Sequence, residues 1–371
     1  MGIYTNLPIW RHYRTFSARR VTFRMGSCSI LAMDRNRCNS PRHDSESRDS
    51  SPGHYESWFL RGNHPSRPLA FWIRYTIFHP RGGDPVGELW GIFFDGESNQ
   101  IAVAKETIPW AFCSFAGSGL DIAIGDARLR DGELSGRLNG SGNTLAWNLQ
   151  YAGGDRPLLL LPEPLYTAPL PRAKALVSTP GARFSGSFVV NGVTHAIDGW
   201  PGSQNHNWGS RHTDRYAWGQ VAGFDDAPDA FLECATAKLR IGPLWTPWLT
   251  TVVLRLDGQE YAINSMWRAA QAKASISYFD WHFQTPPAKT NGRSPGQVSI
   301  ECHIHAPRER FVGLTYGNPP GGSKTCLNSK LASCELTLTV PGQAPRRLRS
   351  AHRAAFEILT DDTDHGVPVL A

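Results

Sequence analysis

No apolar run in this 371-residue chain approaches the ~18 residues of a membrane-spanning helix, so no transmembrane segment is expected. Cysteine is sparse as well: seven residues, with no CxxC spacing and no regular framework. A scattered, odd set without a secretory signal fits a reducing, cytoplasmic setting, with the thiols serving as small buried hydrophobes. Clean helical periodicity is missing from every stretch of ~12 residues or more, Ala-rich Trp267–Ala274 being the nearest local candidate. Phosphate-binding loops are absent too. Gly317-Asn-Pro-Pro-Gly-Gly-Ser-Lys324 resembles a P-loop only superficially, because its prolines fit a turn. Ser203 lacks the second glycine of a nucleophile elbow. No cofactor motif remains, and no cofactor is expected.

Charge excludes another class. The chain carries a formal +6. Residues 1–53 hold nine arginines against Asp34, Asp44, Glu46 and Asp49, a net of +5 that leaves about +1 for everything after them. A nearly neutral body lacks the basic stripe that phosphate backbones require, so no nucleic-acid partner is expected. Before Asp34 there are five arginines and no acid. Residues 1–53 therefore read as a disordered N-terminal extension, an organelle transit peptide, or translated sequence upstream of a true start at Met25 or Met33.

What is present is strand signal. Leu69-Ala-Phe-Trp-Ile-Arg-Tyr-Thr-Ile-Phe78 sets Phe71, Ile73, Tyr75 and Ile77 on one face and Trp72, Arg74, Thr76 and Phe78 on the other. Gly87–Asp95 follows a Gly-Gly-Asp-Pro turn as the second arm of a hairpin. Further short strands are expected over Ile101–Glu106, Leu120–Leu129, Glu133–Leu138, Thr144–Tyr151 and Pro157–Leu161. The Pro-rich stretch Leu161–Pro171 reads as a domain joint. Beyond it the pattern resumes with Arg183–Val190, Val193–Asp198, Arg215–Phe224, Ala230–Leu239 and others through Arg353–Leu359. Many short strands with turns every 8–12 residues indicate an all-β sandwich or barrel. The expected division is an extension over 1–53, one domain over 54–165 and a second over 166–371.

The densest segment is Asp198–Gln220, which holds three tryptophans, two histidines, two asparagines and two glutamines within 23 residues. Indoles, imidazoles and amides together suggest a pocket wall, where an apolar ligand meets a few placed polar groups. Gln204-Asn-His-Asn-Trp-Gly209 followed by Tyr216-Ala-Trp-Gly-Gln220 resembles the signature of the lipocalin-like superfamily that contains carotenoid 1,2-hydratase (hydroxyneurosporene synthase). Tocopherol cyclase and fungal Diels–Alderases are related members. The Asn318–Ala332 segment is similar to bacterial proteins of that superfamily with no assigned function. The resemblance spans about Tyr55 to Thr360 and implies two tandem lipocalin-like antiparallel β-barrels with a pocket near their junction. It also implies catalytic roles for His206 and Trp208, together with an acid on a nearby strand. The hydratase has Tyr-x-Asp there; this chain has Phe231-Leu-Glu-Cys-Ala235, making Glu233 the candidate.

Hydrating or cyclising an alkene needs a proton donor and protection of a carbocation. A desolvated carboxyl meets the first need and indole faces the second. Glu233 with Trp200, Trp208 and Trp218 would form such a set if they converge, with His206 orienting water or relaying a proton. Asn205, Asn207, Arg211, Tyr216 and Gln220 complete the expected ligand-binding set. Core packing of the tryptophans, a satisfied structural His206 and a plain salt bridge at Glu233 are equally compatible with the pattern. Glu301, His303 and His305 share a strand face, but solvated polar alternation gives the same spacing, and no metal site is expected. The expected partner is an apolar small molecule, a terpenoid, carotenoid or polyketide. The chain would either act on it or simply carry it. The sequence leaves the oligomeric state open.

Overall fold

The computed structural model describes residues 34–43, 52–289 and 297–371. Most of the transit-peptide, disorder and start-site readings therefore lie outside the described residues. The part inside them is corrected: residues 34–43 belong to the fold. A short helix α1 (Arg35–Asn39) is capped by the Asp34 side chain and buries Cys38 and Asn39.

Among the described residues antiparallel strands predominate. The first sheet takes β1 (His54–Asn63), β2 (Leu69–His79), β3 (Val86–Asp95), β4 (Gln100–Pro109), β5 (Cys113–Phe115), β6 (Asp121–Ile124), β7 (Ala127–Arg130) and β8 (Glu133–Gly140). It continues with β9 (Asn143–Gly153), β10 (Leu158–Leu159), β11 (Ala173–Val190) and β12 (Val193–Gly209). Its order is β4-β3-β2-β1-β12-β11-β9-β8-β7-β6-β5, with β10 beside β11. The sheet curls until β4 meets β8 and β9, where Asn143 Nδ2 donates to the Val103 carbonyl at 3.0 Å and the Asn139 N–H to Glu106 at 2.7 Å. The result is a nearly closed barrel.

The second sheet contains β13 (Arg215–Ala222), β14 (Phe231–Lys238), β17 (Leu249–Leu256), β18 (Gln259–Ile263), β19 (Lys273–Ile276) and β20 (Asp280–Gln284). It is completed by β21 (Ala288–Lys289), β22 (Gln297–His305), β23 (Val312–Gly317), β24 (Ser323–Thr339) and β25 (Arg346–Thr360). Its main path runs β18-β17-β14-β13-β25-β24-β22-β20-β19. The helix α2 (Met266–Gln271) links the two terminal strands, β18 and β19. Between β14 and β17, β15 (Arg240–Ile241) and β16 (Leu244–Trp245) form a separate two-stranded ribbon.

The change of sheet falls between Gly209 and Arg215, not at 165/166. The Pro-rich stretch only interrupts the first sheet, because β11 and β12 lie beyond it and still pair with β9 and β1. Pro180, Gly181 and Gly186 look like turn punctuation in the sequence. In β11 they fall in or beside bulges, and the strand bends and continues. Val193–Asp198 likewise runs on to Gly209, so the first half of the segment expected to be a pocket wall is a strand of the first barrel.

Each barrel has its own core. Trp58, Phe71, Tyr75, Trp147, Phe184 and Phe188 fill the first, while Trp281, Phe283, Leu254, Ile300 and Phe356 fill the second. The alternation in β2 explains a third layer. Phe71, Ile73, Tyr75 and Ile77 point into the first core, whereas Trp72 on the opposite face packs with Trp90, Leu314, Tyr316, Cys326 and Leu359. That layer joins strands of both sheets, so β2 is buried on both faces. Burying one such large side chain is worth about 2–3 kcal/mol.

Candidate functional site

Strand β12 sorts its residues to two sides. Odd-numbered Ser203 and Asn205 meet the second sheet, and even-numbered Gln204, His206 and Trp208 meet α1 and β1. Gly202 allows the close approach of β1, since a Cβ there would lie 1.9 Å from the Arg61 carbonyl oxygen.

On the α1 side, His206 is wholly buried and stacks on Trp58, the ring centroids 4.7 Å apart. Its Nδ1 donates to the Cys38 carbonyl at 2.6 Å and its Nε2 to Glu56 Oε1 at 2.7 Å. Glu56 also accepts from the Arg42 and His43 backbone N–H groups and from His54 Nε2. Burial pushes the Glu56 carboxyl up, but the hydrogen bonds and charges of His206 and His54 outweigh it and bring the pKa to about 2. Asn39 adds two more links, accepting from Trp58 Nε1 at 2.9 Å and from Gln204 Nε2 at 3.0 Å. Trp208 lies beside His206, with the Arg42 guanidinium 5.2 Å from its ring and Tyr166 against it. These groups fasten residues 34–43 to the barrel.

The other face of β12 opens a buried polar layer between the sheets. Ser203 Oγ donates to Gln220 Oε1 at 2.6 Å, and Gln220 Nε2 donates to Asn205 Oδ1 and to Glu233 Oε2, both at 2.8 Å. Trp218 Nε1 donates to Glu233 Oε1 at 2.7 Å. The strand register makes this possible, with Gln220 directly opposite Glu233 across β13 and β14 and Trp218 one pair further on the same face. Burial raises the Glu233 pKa to about 7, against the opposing hydrogen bonds of Trp218 and Gln220 and the charge of Arg61.

Sequence reasoning missed Arg61, Lys330 and Glu357 in this layer. Arg61 is wholly buried and donates to the Gln220 and Arg353 carbonyls, both at 3.0 Å. Burial lowers its pKa to about 9. Lys330 is also wholly buried. It donates to Glu357 at 2.8 Å and to Asn328 at 2.5 Å, and its ammonium lies 5.7 Å from the Trp72 ring and 5.6 Å from the Trp218 ring. Burial lowers the Lys330 pKa. The available signal was a charged residue inside an apolar strand pattern, as in Leu60-Arg61-Gly62 and Ser329-Lys330-Leu331.

The expected residues therefore divide into groups. Asn205, Trp218, Gln220 and Glu233 form one connected set, with Tyr216 beside it, 3.5 Å from Glu357. His206 and Trp208 lie on the face of β12 opposite to Asn205, turned towards α1 and β1 and away from the Glu233 set. Trp200 belongs to the first core, packed on Phe71 and Phe93. Asn207 is half-buried, and Arg211 pairs with Asp214 at the start of β13. Glu301, His303 and His305 do share one face of β22, where His303 and His305 meet Asp280 and Glu301 meets His282. A cleft of about 640 Å³ lies where Asp155 and Arg156 meet the β17–β18 hairpin and another of about 450 Å³ lies on the second sheet, and neither is lined by His206 or Glu233.

No family model matches the chain. By sequence it is similar to the uncharacterized protein Rv0493c of Mycobacterium tuberculosis strain H37Rv, 25% identical over 292 residues, which is 77% of this chain and 82% of that protein. By structure it is similar to a Nitrosomonas europaea protein that carries the name AttH, with a TM-score of 0.50 and 12% identity, over 86% of this chain and 98% of the other. Kievitone hydratase from Nectria haematococca gives a TM-score of 0.50 at 11% identity over 88% and 97%. CghA gives 0.50 at 8% over 84% and 89%. What they share with this chain is the fold. At such identities they carry no activity across.

Proposed function

We propose that this chain binds an apolar, unsaturated small molecule of terpenoid, carotenoid or polyketide type at the layer between its barrels, and hydrates or cyclises it with Glu233 as proton donor. The supporting observation is a carboxyl buried beside Trp218 whose pKa of about 7 keeps it partly protonated at neutral pH. In the proposed step the Glu233 proton passes to one alkene carbon, whose π electrons form the new C–H bond. The carbocation left behind is captured by water or by a second alkene, and loss of a proton restores Glu233. Trp218 and Gln220 hold the carboxyl in place and accommodate the carboxylate once the proton has left. Kievitone hydratase among the structural neighbours is in keeping with this reading.

A carrier is the second reading, favoured by the completeness of the internal contacts. Both Glu233 oxygens already accept hydrogen bonds, and the Trp72 and Trp218 rings already face the Lys330 ammonium. The two readings separate on one experiment. Compounds extracted from the purified protein are identified by mass spectrometry and offered back to the wild type and to Glu233→Gln. Turnover by the wild type alone, with binding kept in the variant, supports the enzyme. Binding without turnover in both supports the carrier. If no apolar compound is bound, both readings are lost.

A further inference from the structure

One end of the second barrel carries an apolar projection that the inter-barrel chemistry does not use. The β15–β16 ribbon stands off the main sheet, turning at Gly242-Pro243. Gly242 has a φ of +60° and nothing within 4 Å of the position a Cβ would take. Ile241, Leu244 and Trp245 on this ribbon are exposed, Leu244 to 72%. The ribbon is nonetheless held in shape: the Thr246 N–H donates to the Leu239 carbonyl at 2.9 Å, and Lys238 lies 5.6 Å from the Trp245 ring and 5.7 Å from the Trp248 ring. The strand register brings α2 to the same end. Because Val252 pairs with Ile263, the chain leaving β18 runs towards the Leu249 end of β17, where the ribbon also connects. There α2 presents Trp267, 73% exposed.

The two segments that carry these side chains bear charge of one sign. Residues 238–248 and 264–274 hold Lys238, Arg240, Arg268 and Lys273 and no acid. Asp214, which the Arg240 N–H reaches at 2.8 Å, is buried and paired with Arg211. Asp257 and Glu260 sit at the opposite end of the β17–β18 hairpin. Of the acids that follow β25 at this end, Asp361 is paired with Lys324 and Asp362 with Arg215, which stands opposite Lys238 in the ladder. Exposed indoles and aliphatics on a projecting turn, in segments whose own charges are all cationic, suit the interface of an anionic bilayer.

We infer that this end of the second barrel docks on the surface of an anionic lipid bilayer, with Leu244, Trp245 and Trp267 entering the headgroup region. A protein built to handle an apolar compound would meet its ligand there. Docking itself needs neither ligand nor turnover, so its test is separate from that of the Glu233 chemistry.

The test is co-sedimentation of the full chain with vesicles of phosphatidylglycerol and phosphatidylcholine in equal parts, against vesicles of phosphatidylcholine alone. The wild type is expected to sediment with the anionic vesicles and to be released by salt. Leu244→Ser/Trp245→Ser, and separately Trp267→Ser, should weaken binding by about tenfold or more with an unchanged circular dichroism spectrum. If the double variant fails to fold, Trp267→Ser still decides the matter. Three results would overturn the inference: no sedimentation of the wild type, equal sedimentation of the variants, or a wild-type dimer that the variants abolish. The last would assign this surface to a second copy of the chain.

Discussion

His206 donates to Glu56 across the β1–β12 ladder at 2.7 Å, with both side chains wholly buried. Through His206 and Glu56 the segment 34–43 is fixed to the first barrel, since Cys38 binds one of them and Arg42 and His43 bind the other. Removing one member of a buried pair strands its partner, at a cost of about 3–5 kcal/mol. His206→Ala should lower unfolding stability by that amount. It should also speed tryptic cleavage after Arg37 and Arg42, which a time course read by mass spectrometry would show.

The same pair sets an acid limit. Glu56 has a folded pKa of about 2 against an ordinary 4.5. A depressed carboxyl contributes stability above its unfolded pKa and loses it as the pH falls through its folded one. The contribution is about 3 kcal/mol and should disappear between pH 4.5 and 2. Urea unfolding of the wild type and Glu56→Gln across that window should give curves that converge at the acid end.

Glu233 shows the opposite dependence. Its folded pKa of about 7 lies above the ordinary 4.5, so the folded state holds the proton more tightly and stability falls as pH rises between these values. Glu233→Gln does not titrate. It should therefore gain on the wild type from pH 5 to pH 8, by up to about 3 kcal/mol. Any turnover dependent on the protonated acid should decline above about pH 7.

Trp218→Phe removes the indole donor and leaves an aromatic ring in its place. Because that hydrogen bond favours the carboxylate, its loss should move the Glu233 midpoint upward by about one pH unit. A shift of the pH profile without loss of the fold distinguishes this positioning role from simple packing.

Lys330 and Glu357 form the second charge pair of the inter-barrel layer. Lys330→Met alone should cost about 3–5 kcal/mol by leaving Glu357 unpaired. The double variant Lys330→Met/Glu357→Gln should cost less than the two single variants together, which a double-mutant cycle in urea would reveal.

The strand pattern was legible because β2 and β3 alternate cleanly, and even the apolar second face of β2 was visible in Trp72. The sheet boundary was not. Pro180, Gly181 and Gly186 are turn residues by composition, and only pairing with β9 and β12 shows that β11 runs through them as bulges. At the site, Glu233, Gln220 and Trp218 came from one motif and its neighbouring strand, and they meet. Glu56 and Arg61 escaped because their partners lie more than 100 residues away, His206 for one and Gln220 for the other, whereas Lys330 and Glu357 meet only through the pairing of β24 with β25. His206 and Glu233 looked like partners in one dimension, but the period of two along β12 sends His206 and Asn205 to opposite sides.

Infrared difference spectroscopy of the carboxyl C=O band between pH 5 and 8.5, on the wild type and on Glu233→Gln, tests the proton-donor assignment most directly. The expected result is a buried protonated carboxyl that titrates near pH 7 and is missing from the variant. A Glu233 already ionised throughout that range, or a band unchanged in the variant, would contradict it.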